Sequence, residues 1–191
     1  MSFKILFGLV LLGLASIAAA GCASEPDFHI TFYGLPDSES ANALTAYDCG
    51  HNNIPGGTGT YNDPLTFATA PGEFAKCEII YLPYLRKYLR FEDVCEQCIT
   101  DFKSDRLHID IWTTSASNGG SNQIGCEDSL TPNGGQTVIT SPPSNLPVSS
   151  GMLFDGTCHT SNIYNNVLAS SLCSIPSSSS LSKLASGASS S

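Results

Sequence analysis

FEDVCEQCITDFKSDRLHIDIW, residues 91–112, is the stretch on which the fold turns. Glu92, Asp93, Glu96, Asp101, Asp105 and Asp110 surround a Cys-x-x-Cys pair at Cys95 and Cys98, with His108 and the single tryptophan, Trp112, closing it. β-type runs at 88–91 and 107–112 flank the segment, so one tight loop is expected to bring acid, sulfur and aromatic groups together. Along HIDIW the side chains alternate: Ile109 and Ile111 face one way, and His108, Asp110 and Trp112 the other.

The same alternation spreads in both directions. Residues 29–34 (HITFYG), 43–48 (ALTAYD), 65–69 (LTFAT) and 136–140 (QTVIT) read as strands, and 77–82 with 87–92 as a hairpin around Pro83-Tyr84. The glycine-rich residues 51–64 read as an ordered loop, and 124–131 as a short turn or helix. No helix longer than about two turns is expected. Six or more short strands with few helices imply an all-β barrel or sandwich.

The first 20 residues have the basic start, apolar run and Ala-Ala-Ala end of a secretory signal peptide. A secreted, extracellular protein is therefore expected, with no membrane association once the signal is cut. The net charge is −9, and loss of Lys4 makes it −10, which argues against nucleic acid and anionic membranes as partners. Cysteines 22, 49, 77, 95, 98, 126, 158 and 173 form an even set that suits disulfides in an oxidising compartment. Cys158 and Cys173, beyond the strand-rich region, are expected to pair with each other. The domain plan is a signal at 1–20, a barrel at 24–140, a Pro/Ser connector and cysteine-closed appendage at 141–173, and a disordered serine-rich tail at 174–191.

Cys95, Cys98 and His108 raise the question of zinc, but a closed zinc site needs a fourth ligand and no second Cys-x-x-Cys exists. Neither metal nor cofactor is expected. No Gly-x-Ser-x-Gly marks a serine nucleophile. Asp93 is suited to capping the loop before the cysteines. His108 is either a proton shuttle or a half-buried strand histidine. Trp112 and Tyr47 are either sugar-stacking platforms or core.

The segment EDVCEQC, residues 92–98, followed by His108-Ile-Asp110, resembles the double-psi β-barrel superfamily of expansins, barwin-like proteins, rare lipoprotein A and the family 45 glycoside hydrolases. Expansins carry Asp-x-Cys-x-x-Cys and then His-Phe-Asp, which align with Asp93, Cys95, Cys98, His108 and Asp110; Thr31-Phe-Tyr-Gly34 is similar to the superfamily's first strand. The segments GGTGTYNDPLTFA and YLPYLRKY are similar to small secreted proteins, mostly fungal. The resemblance implies a six-stranded double-psi barrel. It also implies a surface for cell-wall polysaccharide built on Asp110, Asp93, His108, Trp112 and Tyr47, in a protein expected to be monomeric. In the hydrolases the matching aspartate is the general acid, and the only candidate base here is Asp48, where the motif's arginine is missing and the spacing is one residue short. Three readings follow: non-hydrolytic binding or loosening of the wall, inverting hydrolysis by Asp110 and Asp48, or a barwin-like defence or effector module.

Overall fold

A computed structural model describes residues 21–35, 44–113, 119–165, 167 and 169–174. The expected signal peptide, and the tail from residue 175 onward, lie outside the described residues. Six strands, β1 (Ala23–Tyr33), β2 (Leu65–Thr69), β3 (Ile79–Leu82), β4 (Lys87–Val94), β5 (His108–Trp112) and β6 (Gln136–Thr140), close into a barrel in the order β1-β5-β2-β4-β3-β6. The sheet is mixed: β1 with β5 and β2 with β4 run parallel, and the other neighbours antiparallel. Closure leaves no strand edge unpaired.

The period of two sets the core. Phe28, Ile30 and Phe32 of β1, Phe67 of β2, Leu89 and Phe91 of β4, and Ile109 and Ile111 of β5 are all buried in one cluster. β1 starts earlier than its alternating part because residues 23–25 first pair with β6. A break at Asp27, with φ of 66°, then turns the strand toward β5. Pro26 and Asp27 hide that extension from a pattern reading.

Several expectations are corrected. Residues 44–50 form bends rather than a strand; Asp48 Oδ1 accepts from the N–H groups of Gly50 (2.9 Å) and Asn52 (3.0 Å), which curls the chain. The segment after Cys95 is a helix, α1 (Glu96–Phe102), rather than a simple loop. A second helix, α2 (Gly120–Leu130), runs three turns. It is built of poor helix formers, and its buried positions Gln123, Cys126, Glu127 and Leu130 have helical spacing but include two polar residues, so no apolar stripe announces it.

The cysteine pairing is also different. Cys126 bonds Cys158 and Cys173 bonds Cys22, alongside Cys49–Cys77 and Cys95–Cys98. The C-terminal segment is therefore stapled at two points, to α2 through Cys126 and to the start of β1 through Cys22, and does not close on itself. The expected connector is likewise held down: the Tyr81 hydroxyl donates to Pro147 O (2.6 Å), and the Tyr88 hydroxyl donates to Pro143 O while accepting from Leu146 N (2.9 Å). These tyrosines join Ile139, Leu146 and Leu172 in a second cluster outside the barrel. Tyr88→Phe should cost about 1–2 kcal/mol in urea unfolding, since it removes a buried hydroxyl serving both a donor and an acceptor. A change below a few tenths would mean that the connector is not held there.

Among the described residues no helix is long and apolar enough to cross a membrane.

Candidate functional site

The parallel register of β1 and β5 creates the site. It places His29 beside His108, Thr31 beside Asp110 and Tyr33 beside Trp112. All six alternate along the strands with Ile30, Phe32, Ile109 and Ile111, so two strands hold a three-by-two array, of which Tyr33 and Trp112 are buried with the core cluster. The rings of His29 and His108 lie 4.5 Å apart, and those of Tyr33 and Trp112 5.3 Å apart edge to face. Between them, the Thr31 hydroxyl lies 2.7 Å from Asp110 Oδ1 and 2.9 Å from His108 Nε2.

The middle row continues across the sheet. Asp110 pairs with Ala68 of β2, and Ala68 pairs with Asp93 of β4. The register shift between Phe67 and Ala68 brings Asp93, rather than Glu92, opposite Ala68. Thr31, Asp110, Ala68 and Asp93 thus form one row, with the two aspartates two strand spacings apart, roughly 9–10 Å between Cα atoms. Both aspartates are half-buried.

Asp93 is thoroughly engaged. Its Oδ1 accepts from Ala46 N (3.0 Å) and Val94 N (2.9 Å), and its Oδ2 accepts from the Tyr33 hydroxyl (3.3 Å). Burial pushes its pKa up, against the pull of these bonds. Tyr33 is pushed up too, first by burial and then by the charges of Asp93 and Asp110. Asp93 therefore braces the 44–50 loop and also stands in the site.

His108 is 3% exposed, so it is buried rather than half-buried. Its Nδ1 is 2.8 Å from Asp101 Oδ2 on α1, which lies 3.8 Å from Arg106, while Asp101 Oδ1 accepts from Gln97 (3.1 Å). Burial pushes His108 down, partly offset by Asp101. Burial works upward on Asp101, but the hydrogen bonds from His108 and Gln97, with Arg106 near, hold its carboxyl below the usual range.

The chain Asp101–His108–Thr31–Asp110 has a fixed proton count. If Asp110 is ionised, Thr31 donates to it, and its oxygen must then accept from an Nε2–H; with Nδ1–H on Asp101, His108 is an imidazolium. If His108 is neutral, Nε2 accepts from Thr31 and Asp110 must donate to Thr31 as a carboxylic acid. The two arrangements differ by one proton passed through the hydroxyl.

The other expected site residues are distributed less centrally. Asp48 is exposed, and its carboxyl is held below the usual range, first by the Gly50 N–H; it is a turn cap and not a groove base. Tyr47 packs edge-on against Phe91, 5.3 Å between centroids, beneath the Lys76 ammonium, so it is partly core. Trp112 is 3% exposed, yet it lines a cavity on the flank of the array. Cys95, Cys98 and His108 do converge within 4.8 Å, but the two sulfurs are joined to each other and both ring nitrogens are engaged. Thr31, Tyr33 and Asp101 join the site without a motif that singles them out in the sequence. The alternation of HITFYG exposed the first two, while Asp101 had no signal beyond being one more acid in the loop.

Fold and site together define a disulfide-braced, closed mixed β-barrel with a carboxylate–histidine row on its outer face. The chain belongs to the family described as the DDB_G0273701 N-terminal domain, whose model matches residues 25–161. It is 29% identical over 155 residues to "Uncharacterized protein DDB_G0273701/DDB_G0273221" of Dictyostelium discoideum, covering 81% of this chain and 68% of that one. No solved structure matches the chain.

Proposed function

We propose that this is a secreted, expansin-like protein that binds or loosens cell-wall polysaccharide without hydrolysing it. The observation that carries the reading is the row Thr31–Asp110–Ala68–Asp93, two half-buried carboxyls flanking a small residue on the outer face. Such a row offers paired polar groups to sugar hydroxyls across a shallow floor. The parallel pairings β1/β5 and β2/β4 within a closed six-stranded barrel support the double-psi assignment. Pairing of all eight cysteines supports an oxidising, extracellular location.

Hydrolysis by inversion needs one protonated carboxyl and one free to activate water, about 6.5–9.5 Å apart. Asp110 suits the acid. Asp48 does not suit the base, because it caps an exposed turn. Asp93 is better placed, but three donors already occupy its oxygens.

The test is a pull-down of the full chain on insoluble cellulose, chitin and peptidoglycan, with reducing ends assayed in parallel. The reading expects retention on at least one of them, no reducing ends, and about a tenfold drop in affinity for Asp110→Ala. Release of reducing ends that Asp110→Asn abolishes would establish hydrolysis instead. Absence of binding to all three would overturn the reading and leave the barwin-like one.

A further inference from the structure

Beside the array is a cavity of about 300 Å³, walled by Leu65, Trp112, Met152 and Leu153 on one side and by the Gly56-Gly57-Thr58 loop and Lys87 on the other. Its size is at the small end of ligand pockets, room for one sugar or one amino-acid-sized body. The glycine loop is fixed: at Gly57, φ is 95° and a Cβ would meet Pro64 O at 2.0 Å.

Lys87 is the unusual group. It is 3% exposed, and its Nζ donates to Thr58 O (3.1 Å) and Ser149 O (2.7 Å). An ammonium has three N–H donors, so one remains after these two carbonyls. Among the described residues no carboxylate lies within 4.0 Å of it. Burial pulls its pKa down to about 8, the mark of a cation lacking compensation. The backbone N–H groups of Gly57, Ser150 and Gly151, which also line the cavity, have no hydrogen-bond partner among the described residues. The polar side of the cavity is therefore rich in donors, in a chain whose net charge is −9.

We propose that this cavity binds a small monocarboxylate, its anionic head on Lys87 and the Gly57 and Gly151 amides, and its apolar face against Trp112 and Leu65. One cation and no arginine suit a single negative charge better than a phosphate dianion. The site is separate from the Asp110 row and stands or falls independently of polysaccharide binding. A carboxylate of this kind can come from an acidic sugar or from an aromatic acid, and both present a ring to the apolar wall.

Trp112 is the only tryptophan of the chain, so its fluorescence reports on the cavity directly. The full chain is titrated with methyl galacturonide and with 3-phenylpropionate, each against its neutral amide. The proposal expects one carboxylate to perturb Trp112 saturably and to bind about tenfold or more tighter than its amide. The sugar and the aromatic arm identify the source. Lys87→Met should bring the acid-to-amide ratio to about one, and Lys87→Arg should keep part of it. Equal binding of acid and amide by the native chain, or no saturable response from either acid, overturns the proposal and leaves Lys87 as a tie between two loops. The native acid–amide comparison decides the matter even if Lys87→Met does not fold.

Discussion

Glu92→Ala is expected to destabilise the protein by about 3–5 kcal/mol, the usual cost of breaking one side of a buried ion pair. Glu92 is 1% exposed, and its Oε1 accepts from Arg90 Nε at 2.6 Å. Its Oε2 accepts from the Thr66 hydroxyl, and the Arg90 guanidinium also meets the His51 ring at 3.0 Å. Removing the carboxylate leaves the Arg90 side chain, itself 13% exposed, without a counter-ion. It also leaves a cavity next to the bulge that sets Asp93 opposite Ala68. Urea unfolding should show a lower midpoint with an unchanged slope. Glu92→Gln, which keeps hydrogen-bonding atoms at both positions, should cost only about half as much. On the proposed polysaccharide-binding reading, a relaxed bulge moves Asp93 out of the row and retention on polysaccharide should weaken in Glu92→Ala as well. A loss of less than about 1 kcal/mol would mean that Arg90 finds solvent or His51 an adequate substitute, and that the bulge is held by strand pairing alone.

What the sequence reveals and conceals is visible in this same region. HIDIW and HITFYG disclose their inward and outward faces because the period of two is a local property. That suffices for the barrel and for His108, Asp110 and Trp112. The parallel register that joins Thr31 to Asp110 depends on two chain segments nearly eighty residues apart, and nothing local specifies it. Asp48 is singled out by the partial match of Thr45-Ala-Tyr-Asp48 to the hydrolase strand, but Asx-type hydrogen bonding to Gly50 and Asn52 claims its carboxyl. The buried face of α2 has no apolar stripe because Gln123 and Glu127 occupy it, Glu127 Oε1 accepting from both Gln123 (3.0 Å) and Thr113 (3.0 Å). The pairing of Cys22 with Cys173 spans 151 residues and reflects where the chain ends lie on the finished barrel, which cysteine count and position cannot state. Chemistry carried within one strand was legible. Chemistry assembled by register, bulge or staple was not.

The Asp101–His108–Thr31–Asp110 chain yields the second large effect. Thr31→Val keeps the shape of the side chain and removes the hydroxyl that His108 and Asp110 share. A buried imidazole and a half-buried carboxyl then lose a partner, at an expected cost of about 2–3 kcal/mol. Asp110→Asn behaves differently. Its amide N–H donates to Thr31, Thr31 donates to Nε2, and the neutral arrangement is reproduced, so stability should stay within about 0.5 kcal/mol of wild type. The pH profile separates the two. His108 has its pKa lowered by burial and by the charges of His29 and Arg106, against the upward pull of Asp101. The folded protein therefore binds fewer protons than the unfolded chain just below the ordinary histidine pKa of about 6.5. The His108 contribution is present above that pH, is lost as pH falls through it, and stops changing once the folded imidazole protonates. Asp93 and Glu73, both raised chiefly by burial, act with the opposite sign in the acid range, so the slope is to be read as a difference from His108→Gln. Imidazole NMR should find His108 neutral at pH 7 with its proton on Nδ1, in wild type and in Asp110→Asn alike. An imidazolium at pH 7 in wild type would reverse the assignment: Asp110 would then be the ionised end of the chain, without a proton to donate to a glycosidic oxygen.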